Sequence, residues 1–293
     1  MKATRTAAEL RDALAPARRA GKRIGLVPTM GALHEGHLSL LRAARERCDV
    51  VVMSLFVNPA QFGAGEDLES YPRDERRDLG LAEAEGVDLV FAPSVREMYP
   101  PGFATTVEVG GGLTDVLCGD ERRRGADHFR GVTTVVAKLL NAVGPDLAFF
   151  GQKDAQQALV ISRMARDLAF PVDVVVMPTV READGLAMSS RNAYLSGDER
   201  KRALALSRAL RAAEERAAED ASVESALAAA QIELAGADIQ PEYLEARYAD
   251  DMTLAQSFNG RPVLIAVAAR VGKARLIDNV VVGAQPSASD PDG

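Results

Sequence analysis

Tryptophan is missing from these 293 residues, histidine occurs three times and cysteine twice. No apolar stretch approaches the roughly 18 residues needed to cross a bilayer. Each shortage excludes something. Cys48 and Cys118 are too few and too far apart for a disulfide framework or a cysteine-rich zinc site, which fits a reducing cytoplasm. The opening Met1-Lys2-Ala3-Thr4-Arg5-Thr6 leads into a polar amphipathic segment with no long apolar run, so a soluble, unexported protein without a membrane partner is expected. Basic residues are also in deficit: net charge is -7 and pI about 5.2, a field that repels nucleic acid on average, so no nucleic-acid partner is expected. With 47% hydrophobic residues, the chain still has ample material for a real core.

What is present is concentrated. Two of the three histidines lie within Pro28-Thr29-Met30-Gly31-Ala32-Leu33-His34-Glu35-Gly36-His37, between the apolar run Arg23–Val27 and a segment in which Leu38, Leu40, Leu41 and Ala44 recur at helical spacing. A strand, turn and helix in that order put unpaired helix N–H groups and the positive end of the helix dipole beside the turn. Gly31 and Gly36 let backbone approach an anion, and His34 and His37 supply imidazole donors for charge developing on phosphoryl oxygens. The unit reads as a phosphate site. Zinc is disfavoured, because metalloprotease helices space their histidines by four and here the spacing is three. A Walker A loop and a Gly-x-Gly-x-x-Gly turn are both absent.

The first part of the chain alternates strands and helices. Thr6-Ala7-Ala8-Glu9 is a capping box opening a first helix, and Asp49–Leu55 is a near-continuous apolar run of the kind found in parallel sheets covered on both faces. Further strands are expected at Val87–Ala92, Asp146–Phe150 and Val172–Met177, and an exposed alternating strand at Ala104–Val109. The stretches 56–72 and 117–130 read as loops. This pattern predicts an α/β fold with a doubly wound parallel sheet, whose ligand crevice lies beyond the carboxyl ends of the strands. After Pro178 the character changes to a polar loop, two Ala-rich helices and three strands. We therefore expect a domain over residues 1–183, a smaller C-terminal α+β domain over 184–284 and a disordered tail at 285–293.

Three further loops carry chemistry. Phe56-Val57-Asn58-Pro59-Ala60-Gln61-Phe62-Gly63 follows a strand and presents two amides suited to a small polyhydroxy or carboxylate ligand. Gly151-Gln152-Lys153-Asp154 places a lysine at a helix start, where the dipole disfavours it and a bound phosphate would explain it. Met188-Ser189-Ser190-Arg191 offers two hydroxyls and a guanidinium that can clamp a triphosphate. Neither a carboxylate dyad nor a nucleophile–base pair is evident, so positioning and electrostatics, rather than covalent catalysis, would act on a transferring phosphoryl group.

His-Glu-Gly-His after a first strand resembles the signature of nucleotidylyl transferases and class I aminoacyl-tRNA synthetases, and Met188–Arg191 resembles their mobile second motif. A narrower resemblance, to the pantoate:beta-alanine ligases, covers six blocks in that family's order. These are Pro28 to His37, Phe56 to Phe62, Tyr71-Pro72-Arg73, His128-Phe129-Arg130-Gly131-Val132, Phe150 to Asp154, and Val180 to Asn192.

The resemblance implies a Rossmann-like nucleotidylyl transferase fold and an AMP-forming ligase that joins pantoate to beta-alanine through pantoyl adenylate. It implies that Met30, Gly31, Ala32, Leu33, His34, Glu35, Gly36 and His37 hold ATP together with Gly151, Gln152, Lys153 and Asp154. Val180 would meet the adenosine part, and Met188, Ser189, Ser190 and Arg191 would close over the phosphates. Gln61 and Gln157 would bind pantoate, Gln61 also beta-alanine. His37 would donate a proton, His34 would steady the pentacoordinate phosphorus, and Lys153 completes the catalytic set. Magnesium accompanies ATP with its ligands unassigned, and a cytoplasmic homodimer is implied. Gln152 stands where the family commonly has glutamate, and the approach from Cys118 to His128 is longer than usual, with Arg122, Arg123 and Arg124 but no proline. The alternatives are a nucleotidylyl transferase for another small acceptor and an inactive ATP-binding regulator.

Overall fold

The computed structural model describes residues 1–63, 66–220 and 222–283. The chain is organised as two compact units, Met1–Gly151 with Val160–Pro178, and Gln152–Leu159 with Thr179–Gly293; the tail expected at 285–293 lies outside the described residues.

The first unit is built from β1 (Lys2–Thr4), α1 (Ala7–Arg19), β2 (Ile24–Thr29), α2 (Glu35–Arg47), β3 (Val50–Leu55), α3 (Glu75–Ala84), β4 (Leu89–Phe91), α4 (Val95–Met98), α5 (Ala126–Val143), β5 (Leu147–Gly151), the later part of α6 (Ala155–Asp167) and β6 (Asp173–Met177). Its six strands form one sheet in the order β1-β4-β3-β2-β5-β6, and every pairing is parallel. Val27, Val51, Met53, Val90 and Phe149 are fully buried in it and pack against Leu41 and Ala44 of α2. Such strands need no alternation, because helices cover both faces. The chain leaves β2 toward β3 on one side and reaches β5 on the other, so the order reverses between β2 and β5. At that switch point the strand ends leave a crevice.

The second unit carries the start of α6, α7 (Gly197–Asp220), α8 (Val223–Gly236), β7 (Pro241–Tyr248), β8 (Val263–Val271) and β9 (Ala274–Val282). The three strands form an antiparallel sheet in that order, with β8 in the middle. Ala203, Ala209, Ala213, Ala226 and Ala230 are fully buried, so the Ala-rich stretch lets helix and sheet approach closely around Val263, Ile265 and Val267. The expected α/β sheet with a smaller C-terminal α+β unit is what the chain forms.

Three local expectations are corrected. Ala104–Val109 is not a strand: the Val107 N–H donates to Thr134 Oγ1 at 3.0 Å and Thr133 Oγ1 donates to the Val107 carbonyl at 2.6 Å, so α5 takes the groups a neighbouring strand would have paired at Val107. The supposed loop 117–130 contains the first turn of α5, opened by Gly125 at φ 76° with His128 and Phe129 buried. A short first strand, Lys2–Thr4, was not anticipated; it is set by its pairing with β4 and by Thr4 Oγ1 donating to the Val90 carbonyl, not by any apolar pattern of its own.

Candidate active site

In the first unit, the loop from β2 to α2 turns at Gly31 (φ 88°) and Ala32 (φ 50°). A side chain at Gly31 would sit 2.8 Å from Asp78 Oδ2 and 2.9 Å from Leu55 Cδ1, so glycine is required there by space as well as by conformation. Asp78, on α3 and 1% exposed, accepts the Ala32 N–H at 2.9 Å and the Leu33 N–H at 2.8 Å. Arg77 donates to the Leu33 carbonyl at 3.1 Å. The loop is thus held from α3, and the N–H groups of Ala32 and Leu33 face a buried carboxylate. From the sequence, Asp78 was open between a magnesium ligand and a solvated helix face; its one signal was its acidic position after Tyr71-Pro72-Arg73.

His34 caps α2, its Nδ1 accepting the Gly36 N–H at 3.2 Å. The helix therefore begins at Glu35, ahead of the apolar repeat that opens at Leu38, and its Gly36 N–H is already satisfied. An accepting Nδ1 puts the proton of the neutral ring on Nε2, making that nitrogen the donor. The His34 and His37 rings lie 4.1 Å apart between centroids, tilted by 36°. Glu35 pairs with Arg42, which also reaches Glu85 at 2.8 Å.

The turn after β3 forms one 3₁₀ turn, Pro59–Gln61, capped by Asn58. Asn58 is 1% exposed and fully engaged: Nδ2 donates to Gln61 Oε1 and to the Gly131 carbonyl, both at 3.1 Å, while Oδ1 accepts from Tyr99 Oη at 2.7 Å and from the Ala60 N–H at 3.3 Å. Burial pushes the Tyr99 phenol up to about 12, so it remains a donor through the neutral range. The side-chain orientation of Gln61 follows from these bonds. Its oxygen is taken by Asn58, and its Nε2 donates to Met30 Sδ at 3.3 Å. Thioether sulfur is a weak acceptor, so that donor can be turned to a ligand oxygen at little cost.

A second chain of bonds reaches the same residue. Arg124 donates to His128 Nε2 at 3.0 Å, and His128 Nδ1 donates to the Gln61 carbonyl at 2.8 Å; a carbonyl only accepts, so the ring carries its proton on Nδ1. Of the three consecutive arginines, Arg122 pairs with Asp120, Arg123 donates to the Leu117 carbonyl and Arg124 reaches this network, where it also pairs with Glu66 at 2.5 Å. Around these groups lies a cavity of about 690 Å³, lined by Gln61, Tyr99, Phe103, Arg124, His128 and Arg130 among others. Its size suits a small organic molecule. Sequence reasoning offered the Asn58 amide as a ligand group, whereas its bonds go to protein partners, and it missed Tyr99, which lies in a Pro-rich stretch with no periodicity.

In the second unit, Gln152–Asp154 forms a 3₁₀ turn leading into α6. Among the described residues the Lys153 ammonium meets Asp154 Oδ1 at 3.5 Å. Gln157 is half-buried on the first turn of α6. Val180 is brought to Met188 by the Met188 N–H donating to the Val180 carbonyl at 3.0 Å, with Arg181 and Ala187 bridged beside them. Ser189 then caps a 3₁₀ turn, Ser190–Tyr194, accepting the Arg191 N–H at 3.3 Å. The two loops expected to serve phosphate therefore each have defined backbone structure.

No group of three or more His, Cys, Asp or Glu residues able to hold a metal occurs among the described residues, and no described helix is long and apolar enough to cross a membrane.

Comparison with known proteins agrees with this chemistry. The family pattern "Pantoate-beta-alanine ligase" matches residues 2–281. The pantothenate synthetase of Moorella thermoacetica is 54% identical over 284 residues, 96% of this chain and 99% of that protein. The pantothenate synthetase of Heliobacterium modesticaldum is 56% identical over 271 residues, covering 90% and 93% of the two chains. Crystal structures are similar as well. Pantothenate synthetase from Thermus thermophilus superposes with a TM-score of 0.90 at 49% identity over 97% of this chain and all of that one. A Francisella tularensis pantoate-beta-alanine ligase, complexed with beta-gamma ATP and beta-alanine, gives 0.79 at 30% identity over 96% and 97%. Matched nearly end to end in sequence and in fold, the chain belongs to the pantoate-beta-alanine ligase family.

Proposed function

We propose that this ligase works in two steps, with residues 1–183 binding ATP and pantoate and residues 184–284 acting as a lid. A pantoate carboxylate oxygen attacks the α-phosphorus of ATP, the bond to pyrophosphate breaks, and pantoyl adenylate forms. The amine of beta-alanine then attacks the acyl carbon, AMP leaves with the C–O bond electrons, and the amine gives up a proton. The observation that carries the pantoate assignment is Gln61: Asn58 fixes its oxygen, and its Nε2 rests on a sulfur that a hydroxyl or carboxylate oxygen outcompetes. Gln157 is the second pantoate amide, and Gln61 also serves beta-alanine.

ATP is assigned to Met30, Gly31, Ala32, Leu33, His34, Glu35, Gly36 and His37 and to Gly151, Gln152, Lys153 and Asp154, with Val180 at the adenosine and Met188, Ser189, Ser190 and Arg191 over the phosphates. At Ala32 and Leu33 the N–H groups are engaged by Asp78 and the Leu33 carbonyl accepts from Arg77, so these two residues shape the loop around ATP. His37 donates a proton as pyrophosphate departs, while His34 and Lys153 hold charge on the phosphoryl oxygens by preorganised donors. The Francisella structure with ATP and beta-alanine supports this substrate set.

Magnesium enters as a companion of ATP. The acidic residues after Tyr71-Pro72-Arg73 are otherwise occupied: Asp74 caps α3, Glu75 pairs with Arg5 and Asp78 holds the loop, so they do not form a protein cage for the ion. A cytoplasmic homodimer completes the reading; the two cysteines, both buried and neither in a disulfide, support a reducing compartment.

The test supplies ATP, magnesium and pantoate and follows pyrophosphate, then adds beta-alanine and follows AMP and pantothenate. Products that require both acids support the ligase. A lasting adenylate indifferent to beta-alanine would favour a nucleotidylyl transferase, and no pyrophosphate from folded protein would favour an inactive binder.

A further inference from the structure

β9 carries two adjacent polar residues that are buried although strand neighbours point to opposite faces: Asp278 is 3% exposed and Asn279 5%. Burying an amide and a carboxylate in mid-strand is costly unless each is fully bonded. Asn279 Nδ2 donates to two consecutive carbonyls, Gln152 O and Lys153 O, both at 2.9 Å. Carbonyls only accept, which fixes the amide's orientation and leaves Oδ1 toward Gln152 Nε2 at 3.5 Å. Asp278 accepts from Arg181 at 2.6 and 3.1 Å, and Arg181 also donates to the Gly185 carbonyl at 3.2 Å, inside the turn that joins Val180 to Met188. The two residues are locked to each other, because Asp278 Oδ1 accepts the Asn279 N–H at 2.8 Å.

We infer that Asn279 is a positioning residue for Lys153, with Asp278 holding the neighbouring loop from the next rung of the strand; this rests on the assignment of Lys153 to the phosphates. Among the described residues the Lys153 ammonium meets Asp154 at 3.5 Å, too long to fix it, so its place is set by its backbone. Clamping two successive carbonyls fixes the peptides on either side of the Lys153 Cα and therefore the direction in which its side chain leaves. Neither residue stands out in the sequence, where Ile277-Asp278-Asn279 is an ordinary strand segment.

The experiment is a double-mutant cycle on the full chain, reading pyrophosphate release and thermal midpoint for Asn279→Ala, Lys153→Ala and the pair. Asn279→Ala is expected to lower kcat roughly 10- to 100-fold, the scale of an ångström-size misplacement, with KM for beta-alanine unchanged. In the Lys153→Ala background the same change should cost less than about twofold, because residues acting through one another are not additive. An Asn279→Ala effect that is absent, or equal in both backgrounds, would overturn the positioning role while leaving the site assignment standing on the loss in Lys153→Ala. Wild-type turnover in Lys153→Ala would overturn both. Asn279→Asp provides a near-isosteric check should the alanine variant fold poorly: it turns a carboxylate oxygen toward the two carbonyls, and wild-type turnover in it would equally overturn the inference.

Discussion

His34 and His37 differ in what their surroundings ask of them. His34 spends one nitrogen on capping α2, which fixes its ring; His37 lies one turn on, inside the helix and beside that ring. If His37 donates to charge that develops on the phosphoryl group, His37→Ala should lose about 2.7–4 kcal/mol of transition-state stabilisation, roughly 10²- to 10³-fold in kcat. Turnover near wild type in a pyrophosphate assay would remove it from that role. Tyr99 makes a prediction about stability. Its phenol keeps its proton to about pH 12, whereas the unfolded tyrosine releases it near 10. Between those values the unfolded chain binds fewer protons than the folded one, so stability is intact below about pH 10 and falls as pH rises through the folded value. Denaturant titrations from pH 9 to 12 should show this alkaline loss in the wild type and a shallower one in Tyr99→Phe; identical slopes would contradict it.

At the scale of the element, the α1 cap was legible and is built as read: Thr6 Oγ1 accepts the Glu9 N–H at 3.2 Å, and Glu9 reaches back to the Thr6 N–H. Thr6→Ala should therefore cost about 0.5–2 kcal/mol in urea unfolding and leave kinetics unchanged. The contact between α5 and the Gln61 turn was not legible. A Cβ on Gly131 would lie 2.2 Å from the Ala60 carbonyl oxygen and 2.7 Å from the Gln61 N, both backbone atoms. Gly131→Ala must push the turn away, so we expect KM for pantoate to rise about tenfold or more and stability to drop by about 1–3 kcal/mol, the usual cost of overpacking. Unchanged pantoate saturation in that variant would separate the turn from pantoate binding. Sequence periodicity cannot find such a contact, because Gly131 falls within a helix and the atoms it touches belong to a turn seventy residues earlier.

For the whole molecule, a net charge of -7 and the binding of a polyanionic nucleotide have to coexist. They can, because the groups assigned to ATP are gathered on a few loops, while many charged side chains elsewhere pair with each other, as in Arg200 with Glu182 and Asp184 or Arg261 with Asp250 and Asp251. A duplex or a tRNA would meet the average field rather than those loops. The protein should therefore pass through a low-salt tRNA column unretained; retention that falls steeply with added salt would mean a basic surface that the composition does not reveal.

Apart from β1 and residues 104–109, the sequence by itself determined the main elements and their class. Continuous apolar strands at Val50–Leu55 and Leu147–Gly151 require cover on both faces, and helical repeats between them supply it, so a parallel doubly wound sheet follows from local pattern alone. The turns that carry Gly, His, Lys and Ser ahead of helices were legible for the same reason, because these residue types are local signals. Only the tertiary structure decided what holds those loops. Asp78 on the Ala32 and Leu33 amides, Tyr99 on Asn58, His128 on the Gln61 carbonyl and Asn279 on the Lys153 turn all join residues distant in sequence. Their bonds exist because the fold brings buried and half-buried polar groups together, where each needs a partner. That constraint acts through space, and no spacing along the chain records it.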